Sequence, residues 1–387
     1  MVATHGVVHP TSRRAVLSRF WVLFCLLMGA ARADDGAEAI KDAVQLIQQH
    51  LPEQLEEDIL YHAALVGITD HLNQQAGAAI HDVLTEQQHA QIEAWLQGER
   101  DGIGAIYQII SGQGVMLEEV FPGGPAAAAG MSTGDLIVAI DAQPFTGLSD
   151  AMIYELTSQA ALRPRITLDV MRTDQGMHRF EVLRGRYQIE AVSAGAESCA
   201  IDLLFFSSGA ASRLEELVSK HPTDSGLLLD LRDNQGGLLE EALAAASLFL
   251  EGGTVITYRR KSDGVDEALV ATGNQRWTTP IVILTNERTS GVAEVFASAL
   301  QDNRAATLVG STTSGRAAEP GYYPLGGELV LQLADTNLRA PSGRSWAGTG
   351  LIPDVRVEAL QQRLSLSATG VPPDIQRDTG IQLIACP

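Results

Sequence analysis

Ser290 is a candidate nucleophile for covalent chemistry. It lies just before an apolar stretch with helical spacing. A serine hydroxyl becomes a nucleophile only when a neighbouring group takes its proton. No lysine follows Lys261 and no histidine follows His221, so this part of the chain offers no amine or imidazole base. The bases left for Ser290 are carboxylates, such as those of Glu294 and Asp302, or a distant lysine. A carboxylate with an ordinary pKa of about 4 is a weak partner for serine at neutral pH.

A structural role is the alternative for Ser290, and we favour it. Serine is a preferred residue at the start of a helix, where its side-chain oxygen accepts a hydrogen bond from a backbone N–H group of the first turn. The apolar stretch that follows Ser290 is predicted to form such a helix. We therefore predict that Ser290 is the N-cap of that helix.

Composition excludes several classes of protein. Of the 387 residues, 45% are hydrophobic, which excludes a disordered chain. The 47 acidic residues outnumber the 27 lysines and arginines, so the net charge of −20 repels nucleic acids. The three cysteines form no Cys-x-x-Cys pair and only nine histidines occur. We therefore predict no metal, no cofactor and no nucleic-acid partner.

The first 33 residues are typical of a cleavable export signal. They contain four arginines and no acidic residue, and an apolar run at 20–30 precedes small residues before Asp34. The run is too short for a membrane span, which needs about 20 residues. An arginine pair leaves the twin-arginine route open beside the general one. Export predicts a periplasmic or secreted protein, in which Cys199 and Cys386 are free to form a disulfide or to stay apart.

The rest of the chain divides by its periodicity. Apolar residues at three- and four-residue spacing predict helices first, short β-type runs follow, and buried strands then alternate with helices, as in a mainly parallel sheet. The predicted segments are an N-terminal helical region (34–98), a small mainly β domain (99–187), an α/β domain (188–360) and a C-terminal tail (361–387).

The mainly β segment resembles a PDZ domain. The resemblance rests on the run from Phe121 to Gly130, with its Pro-Gly-Gly-Pro turn, and on Gly134-Asp135-Leu136-Ile137. It implies that Gly102, Ile103 and Gly104 form the loop whose backbone N–H groups hold the carboxylate at the end of a peptide. The peptide would add a strand to the sheet edge. A PDZ-shaped spacer that binds nothing is the alternative.

The segments together resemble the C-terminal processing peptidases, also called tail-specific proteases. The α/β segment is similar to this family at the glycine turn 229–237, in the helical sequence 299–305 and in the closing segments 340–345 and 348–355. The helical region, the PDZ-like domain and the α/β domain also come in the family's order. The resemblance implies a crotonase/ClpP-like α/β core with an inserted PDZ domain.

The same resemblance implies a serine nucleophile and a lysine base, and this sequence lacks both. The nucleophile position is Gly291, the lysine position is Arg316, and the assisting glutamine position is Pro320. Glycine carries no nucleophile, arginine stays protonated and proline has no side-chain amide. Gly236 and Gly237 could still offer their amides as an oxyanion-like turn, but a fold that has lost its chemistry would keep this turn for structural reasons.

These observations predict a non-catalytic member of a serine-peptidase family that binds the C-termini of peptides or proteins. An active serine endopeptidase that uses Ser290 as a shifted nucleophile is the alternative. A third hypothesis is an assembly subunit that acts with an active paralogue. The resemblance also leaves a homo-oligomer open.

Overall fold

The computed structural model describes the chain in two units, which divide between Leu72 and Asn73. The predicted export signal lies outside the described residues. The described residues are 36–53, 55–76, 80–160, 163–172, 175–222, 225–260, 266–273, 275–357, 374–384 and 386.

Two helices form the described part of the first unit. They are α1 (36–50) and α2 (Glu57–Ala76), which begins within this unit and ends in the next. Acidic side chains in the first turn of α2 favour its start, because they face the positive end of the helix dipole. Within the described part of the chain, no helix combines the length and the apolar character that a membrane span requires.

A short strand interrupts the predicted N-terminal helical region. It is β1 (Asp82–Thr85), and it pairs antiparallel with residues 329–332 of the α/β domain. The helix α3 (Glu86–Leu96) follows directly, because the Thr85 hydroxyl and the Gln88 side chain cap each other's backbone amides. The two central residues of β1 are buried, so pairing with a distant strand overrides the local helical pattern.

An antiparallel sheet and two helices form the PDZ-like domain. The order of the main sheet is β3-β4-β5-β7-β8, with β6 on β5, and β2 pairs with β9 where the chain enters and leaves the domain. The elements are β2 (Glu99–Gly102), β3 (Ala105–Ile110), β4 (Gly114–Val120), α4 (Pro125–Ala128), β5 (Leu136–Ile140), β6 (Gln143–Pro144), α5 (Asp150–Ala160), β7 (Arg165–Arg172), β8 (Gly176–Leu183) and β9 (Gly185–Gln188).

The α/β domain is built on a six-stranded sheet in the order β10-β11-β12-β15-β16-β20. Only β10 runs antiparallel to its neighbour, which confirms the predicted parallel sheet. The elements are β10 (Val192–Ala194), β11 (Ala200–Leu203), α6 (Ala210–Lys220), β12 (Leu227–Asp230), α7 (Leu239–Ser247), β13 (Thr254–Arg260), β14 (Asp266–Val270), β15 (Ile281–Thr285), α8 (Val292–Asp302), β16 (Thr307–Gly310), β17 (Pro320–Pro324), β18 (Leu329–Ala334), β19 (Thr336–Arg339), β20 (Val355–Arg356) and α9 (Ile375–Ile384).

Both faces of this sheet are covered, because alternate residues of each strand point to opposite sides. Leu227 and Leu229 of β12 belong to the core that holds α6, α7 and α8, whereas Leu228 belongs to a second core with Ile384 of α9. The sequence predicts a C-terminal tail at 361–387. In the structure, residues 375–384 of that segment form a helix on the sheet.

A disulfide and an ion-pair cluster attach α9 to the sheet. Cys199, beside β11, and Cys386, beyond α9, form a disulfide with their Cα atoms 5.7 Å apart. At the other end of α9, the Arg377 guanidinium pairs with Glu197 and with Asp230 at the end of β12. The sequence leaves the pairing of the two cysteines open, and the structure shows them bonded.

Candidate functional site

The three segments that the sequence analysis singles out follow adjacent parallel strands. The glycine turn at 231–237 follows β12, residues 286–291 follow β15, and residues 311–316 follow β16. The carboxyl ends of neighbouring parallel strands meet at one edge of a sheet, where α/β proteins form their sites. The sheet topology therefore brings Gly236, Ser290 and Arg316 to the same edge.

Gly291 has the backbone of a sharp strand-to-helix turn. It is the N-cap of α8, with φ 60° and ψ −120°, a backbone conformation that residues other than glycine rarely adopt. A Cβ atom added here would lie 3.7 Å from the Gln235 carbonyl oxygen and 3.8 Å from Cδ of Arg316. The position has room for a side chain, and that side chain would face residue 316. The two positions assigned to the nucleophile and the base are therefore adjacent.

Arg316 brings a fixed positive charge to this edge. Its side chain is half-buried and makes no hydrogen bond or ion pair with any described residue. It lies near Tyr322 of β17. Burial raises the pKa of this phenol, the Arg316 charge opposes the rise, and Glu93 adds to it. Pro320, at the assisting position, begins β17 and has no side-chain amide to offer.

Glu294 holds the site together. Its carboxylate is fully buried, and one oxygen accepts hydrogen bonds from the Thr313 hydroxyl and the Gly315 amide. The other oxygen accepts from the amides of Gly291 and Arg316, at 2.9 and 2.8 Å. Burial raises the pKa of Glu294, and these donors oppose the rise. The carboxylate thus ties the first residue of the turn to the segment that carries Arg316.

Ser290 is not the cap of α8, so that prediction is wrong. The N-cap is Gly291, whose amide is bonded to Glu294. The Ser290 amide donates to the Asn234 carbonyl at 2.8 Å, and its hydroxyl has no hydrogen bond within the described chain. The backbone turns one residue later than the cap rule assumes, because glycine at 291 tolerates the positive φ.

The carboxylates considered as bases for Ser290 are engaged elsewhere. Both oxygens of Glu294 accept hydrogen bonds from the turn and from the 313–316 segment. Asp302 lies at the opposite end of α8, about 15 Å along the helix axis. There it accepts from the Ser342 amide and pairs with Arg344. Both carboxylates are thus engaged by other donors, and neither forms a hydrogen bond with the Ser290 hydroxyl in the described chain.

The glycine turn keeps one of its two predicted amides free. The buried Asn234 accepts a hydrogen bond from the Gly236 amide at 2.9 Å and donates to the Leu203 carbonyl. The Gly236 amide is therefore committed, contrary to the predicted role in an oxyanion-like turn. The Gly237 amide has no partner among the described residues. A Cβ atom at Gly237 would lie 2.3 Å from the Phe206 carbonyl oxygen, which explains the glycine.

The loop before β3 in the PDZ-like domain is fixed through its carbonyl groups. The Ile103 carbonyl accepts from the Ala126 amide at 2.6 Å, and the Gly104 carbonyl accepts from the Phe121 amide at 3.0 Å. The amides of Ile103 and Gly104 have no partner within the part of the chain that the structure describes. Anchored carbonyls and free amides are the arrangement that a carboxylate needs.

Known proteins resemble the chain in both parts. Residues 198–357 match peptidase family S41, and residues 86–171 match the PDZ domain. The carboxy-terminal-processing protease of Bartonella bacilliformis is 32% identical over 245 residues, which are 60% of this chain and 56% of that protein. The carboxyl-terminal-processing protease of Synechocystis is 28% identical over 320 residues, 78% of this chain and 72% of that protein. A solved S41 protease structure from Bacteroides fragilis shares the fold, with a TM-score of 0.52, 16% identity and coverage of 73% and 81% of the two chains.

The fold and these matches define a protein with a serine-peptidase α/β domain and an inserted PDZ domain. The α/β domain belongs to peptidase family S41, and the chain is homologous to the C-terminal processing peptidases. This confirms the family and the fold that the sequence predicts. The chain spans little more than half the length of its Bartonella bacilliformis relative.

Proposed function

We propose that this protein is a pseudopeptidase that binds the C-termini of peptides or proteins without cleaving them. The observation that carries the proposal is that positions 291 and 316 are adjacent, since a Cβ atom at 291 would lie 3.8 Å from Cδ of Arg316. The family resemblance puts a nucleophile and its base at these two positions. Here the first has no side chain and the second cannot accept a proton.

The surroundings of the site support the same conclusion. The segments 231–237, 286–291 and 311–316 at this edge contain no lysine or histidine, so they supply no amine or imidazole in place of the missing lysine. The Glu294 carboxylate is saturated with donors, and Asp302 is at the far end of α8. The site has the backbone of a sharp strand-to-helix turn but lacks the serine and the lysine that the family resemblance puts there.

Peptide binding is supported by the PDZ-like domain. The free amides of Ile103 and Gly104 form a rigid pair of donors, because the carbonyls of this loop are held by Ala126 and Phe121. A peptide end that placed its carboxylate here would continue as an added strand beside β3.

The first prediction is that residues 34–387, purified free of other proteases, neither react with a fluorophosphonate nor cleave casein. The Ser290→Ala variant should behave identically, because the Ser290 hydroxyl has no base. Gel fluorescence and peptide mapping measure the two activities. Labelling of the native protein that disappears in Ser290→Ala would instead establish the alternative.

That alternative is an active serine endopeptidase with Ser290 as a shifted nucleophile. One observation favours it: the Ser290 hydroxyl is unpaired within the described chain and neighbours the nucleophile position. A third candidate is a subunit that works with an active paralogue or with copies of itself. Co-purification of a labelled family member from the native host would support that role.

We also propose that the protein is exported and acts in the periplasm or outside the cell. The disulfide between Cys199 and Cys386 supports this, because such bonds persist in oxidising compartments. We expect the protein expressed from its full sequence to accumulate outside the cytoplasm with an N-terminus at Asp34, as read by fractionation and mass spectrometry. The variant Leu23→Asp/Leu26→Asp, with its apolar run broken, should remain uncleaved inside. A native protein retained in the cytoplasm would refute the proposal.

A further inference from the structure

Arg316 is half-buried and lacks a counter-ion among the described residues, as does Arg184 of the PDZ-like domain. Arg172, Arg232 and Arg377 are also half-buried, and each forms an ion pair with a carboxylate. The Arg316 guanidinium has no such pair with any described residue. A partly desolvated charge without a partner is unfavourable, so a ligand that brings a negative charge would gain more here than at the exposed surface.

Gly291 leaves room beside Arg316 for the first atom of a side chain, since its nearest neighbours are 3.7 and 3.8 Å from a built Cβ. Two further donors lie on the same edge of the sheet and have no partner in the described chain, the Gly237 amide and the Ser290 hydroxyl. A guanidinium, an amide and a hydroxyl together suit an anion.

The chemistry of this group favours a carboxylate at the end of a peptide. The planar guanidinium of arginine binds carboxylates through two parallel hydrogen bonds. An internal peptide carbonyl carries no charge and would leave Arg316 uncompensated. The net charge of −20 disfavours polyanions. In a peptidase the reacting carbonyl lies beside the nucleophile. The carboxylate of a peptide C-terminus is the charged group that can occupy the position of this carbonyl, because the peptide ends there.

We propose that Gly291 and Arg316 form a second carboxylate site, which binds the free C-terminus of a peptide in place of the scissile bond. The inference rests on the proposed function and names the ligand of the altered site. At position 316 the family resemblance implies a lysine that accepts a proton. In this proposal Arg316 instead binds an anion through its permanent charge. The PDZ loop at 102–104 remains a separate site with its own amides.

The test uses residues 34–387 and a photo-crosslinking peptide. The probe is an unstructured alanine-rich dodecapeptide with p-benzoylphenylalanine before its last residue, made with a free carboxylate and as an amide. Peptide mapping measures crosslinks at 311–316 and at 99–110 separately. We expect the free acid to label both segments and the amide to label neither. Arg316→Gln should lower labelling at 311–316 by roughly tenfold or more and leave labelling at 99–110 unchanged.

Controls keep the outcomes distinct. Arg304→Gln removes an exposed arginine at the end of α8 and should match the native protein. Thermal unfolding should show that Arg316→Gln folds, since its side chain bonds to no described residue. Labelling at 99–110 alone, or equal labelling at 311–316 in Arg316→Gln, would overturn the inference and leave the proposed function standing. Labelling at neither segment would overturn both. Equal labelling at 311–316 by an amidated peptide with an internal glutamate would show that the site does not require a C-terminal carboxylate, and it would overturn the inference.

Discussion

The double variant Gly291→Ser/Arg316→Lys is expected to react with a fluorophosphonate at residue 291 and to cleave casein, in contrast to the native protein. The backbone at 291 already has the φ and ψ of a sharp turn, 60° and −120°, and a new side chain there meets no atom closer than 3.7 Å. The Arg316 Cδ atom lies 3.8 Å from that position. A lysine on the same path would carry its amine two bonds further, within reach of a serine hydroxyl.

The single variants serve as controls for this result. Gly291→Ser alone has a hydroxyl but no proton acceptor, so we expect it to react about 100-fold or more slowly than the double variant. Arg316→Lys alone has an amine but no nucleophile and should stay inert. Circular dichroism should show the same fold in all of them. A folded double variant that is as inert as the native chain would mean that the two positions are not the lost pair.

Glu294→Gln is expected to lower the free energy of unfolding by about 3 kcal/mol. Each carboxylate oxygen of Glu294 faces at least one backbone N–H group, from Gly315 on one side and from Gly291 and Arg316 on the other. An amide NH₂ in either orientation would direct its own donors at another donor. The side chain is fully buried, so water cannot take up the mismatch.

Urea unfolding of the purified variants measures this difference. Glu240→Gln is the matched control, because Glu240 is exposed on α7, and its substitution should change stability by no more than about 0.5 kcal/mol. If the two variants were equally stable, Glu294 would not be the residue that holds the turn and the 313–316 segment together.

Much of the fold follows from the sequence because the decisive patterns are local. Continuous apolar runs such as 227–231 predict strands buried on both faces, and the helices between them require parallel pairing. The glycine and proline pattern from Phe121 to Gly130 likewise predicts the turn and short helix of a PDZ domain. The family resemblance assigns the nucleophile position to Gly291 and the base position to Arg316, and in the structure a Cβ atom at 291 would lie 3.8 Å from Cδ of Arg316.

The remaining features depend on partners far away in the chain. The strand β1 forms because residues 329–332 are there to pair with it, and α9 is held by Cys199, 187 residues before its own cysteine. The capping rule fails at Ser290 because the conformation of Gly291 shifts the helix start by one residue. That Arg316 is unpaired and the Gly236 amide is occupied follows only from the positions of their neighbours in space.

The disulfide also determines which part of the chain stays covalently connected after a single proteolytic cut. The bond between Cys199 and Cys386 closes a covalent ring that contains the strands β11 to β20 and leaves the PDZ-like domain outside. One cut by a protease inside the ring opens it but separates nothing, so both fragments stay on the same molecule. One cut in the chain before Cys199 releases whatever precedes it. Outside the cell, an intact ring would thus protect the peptidase-like domain against a single cleavage and give the PDZ-like domain no such protection.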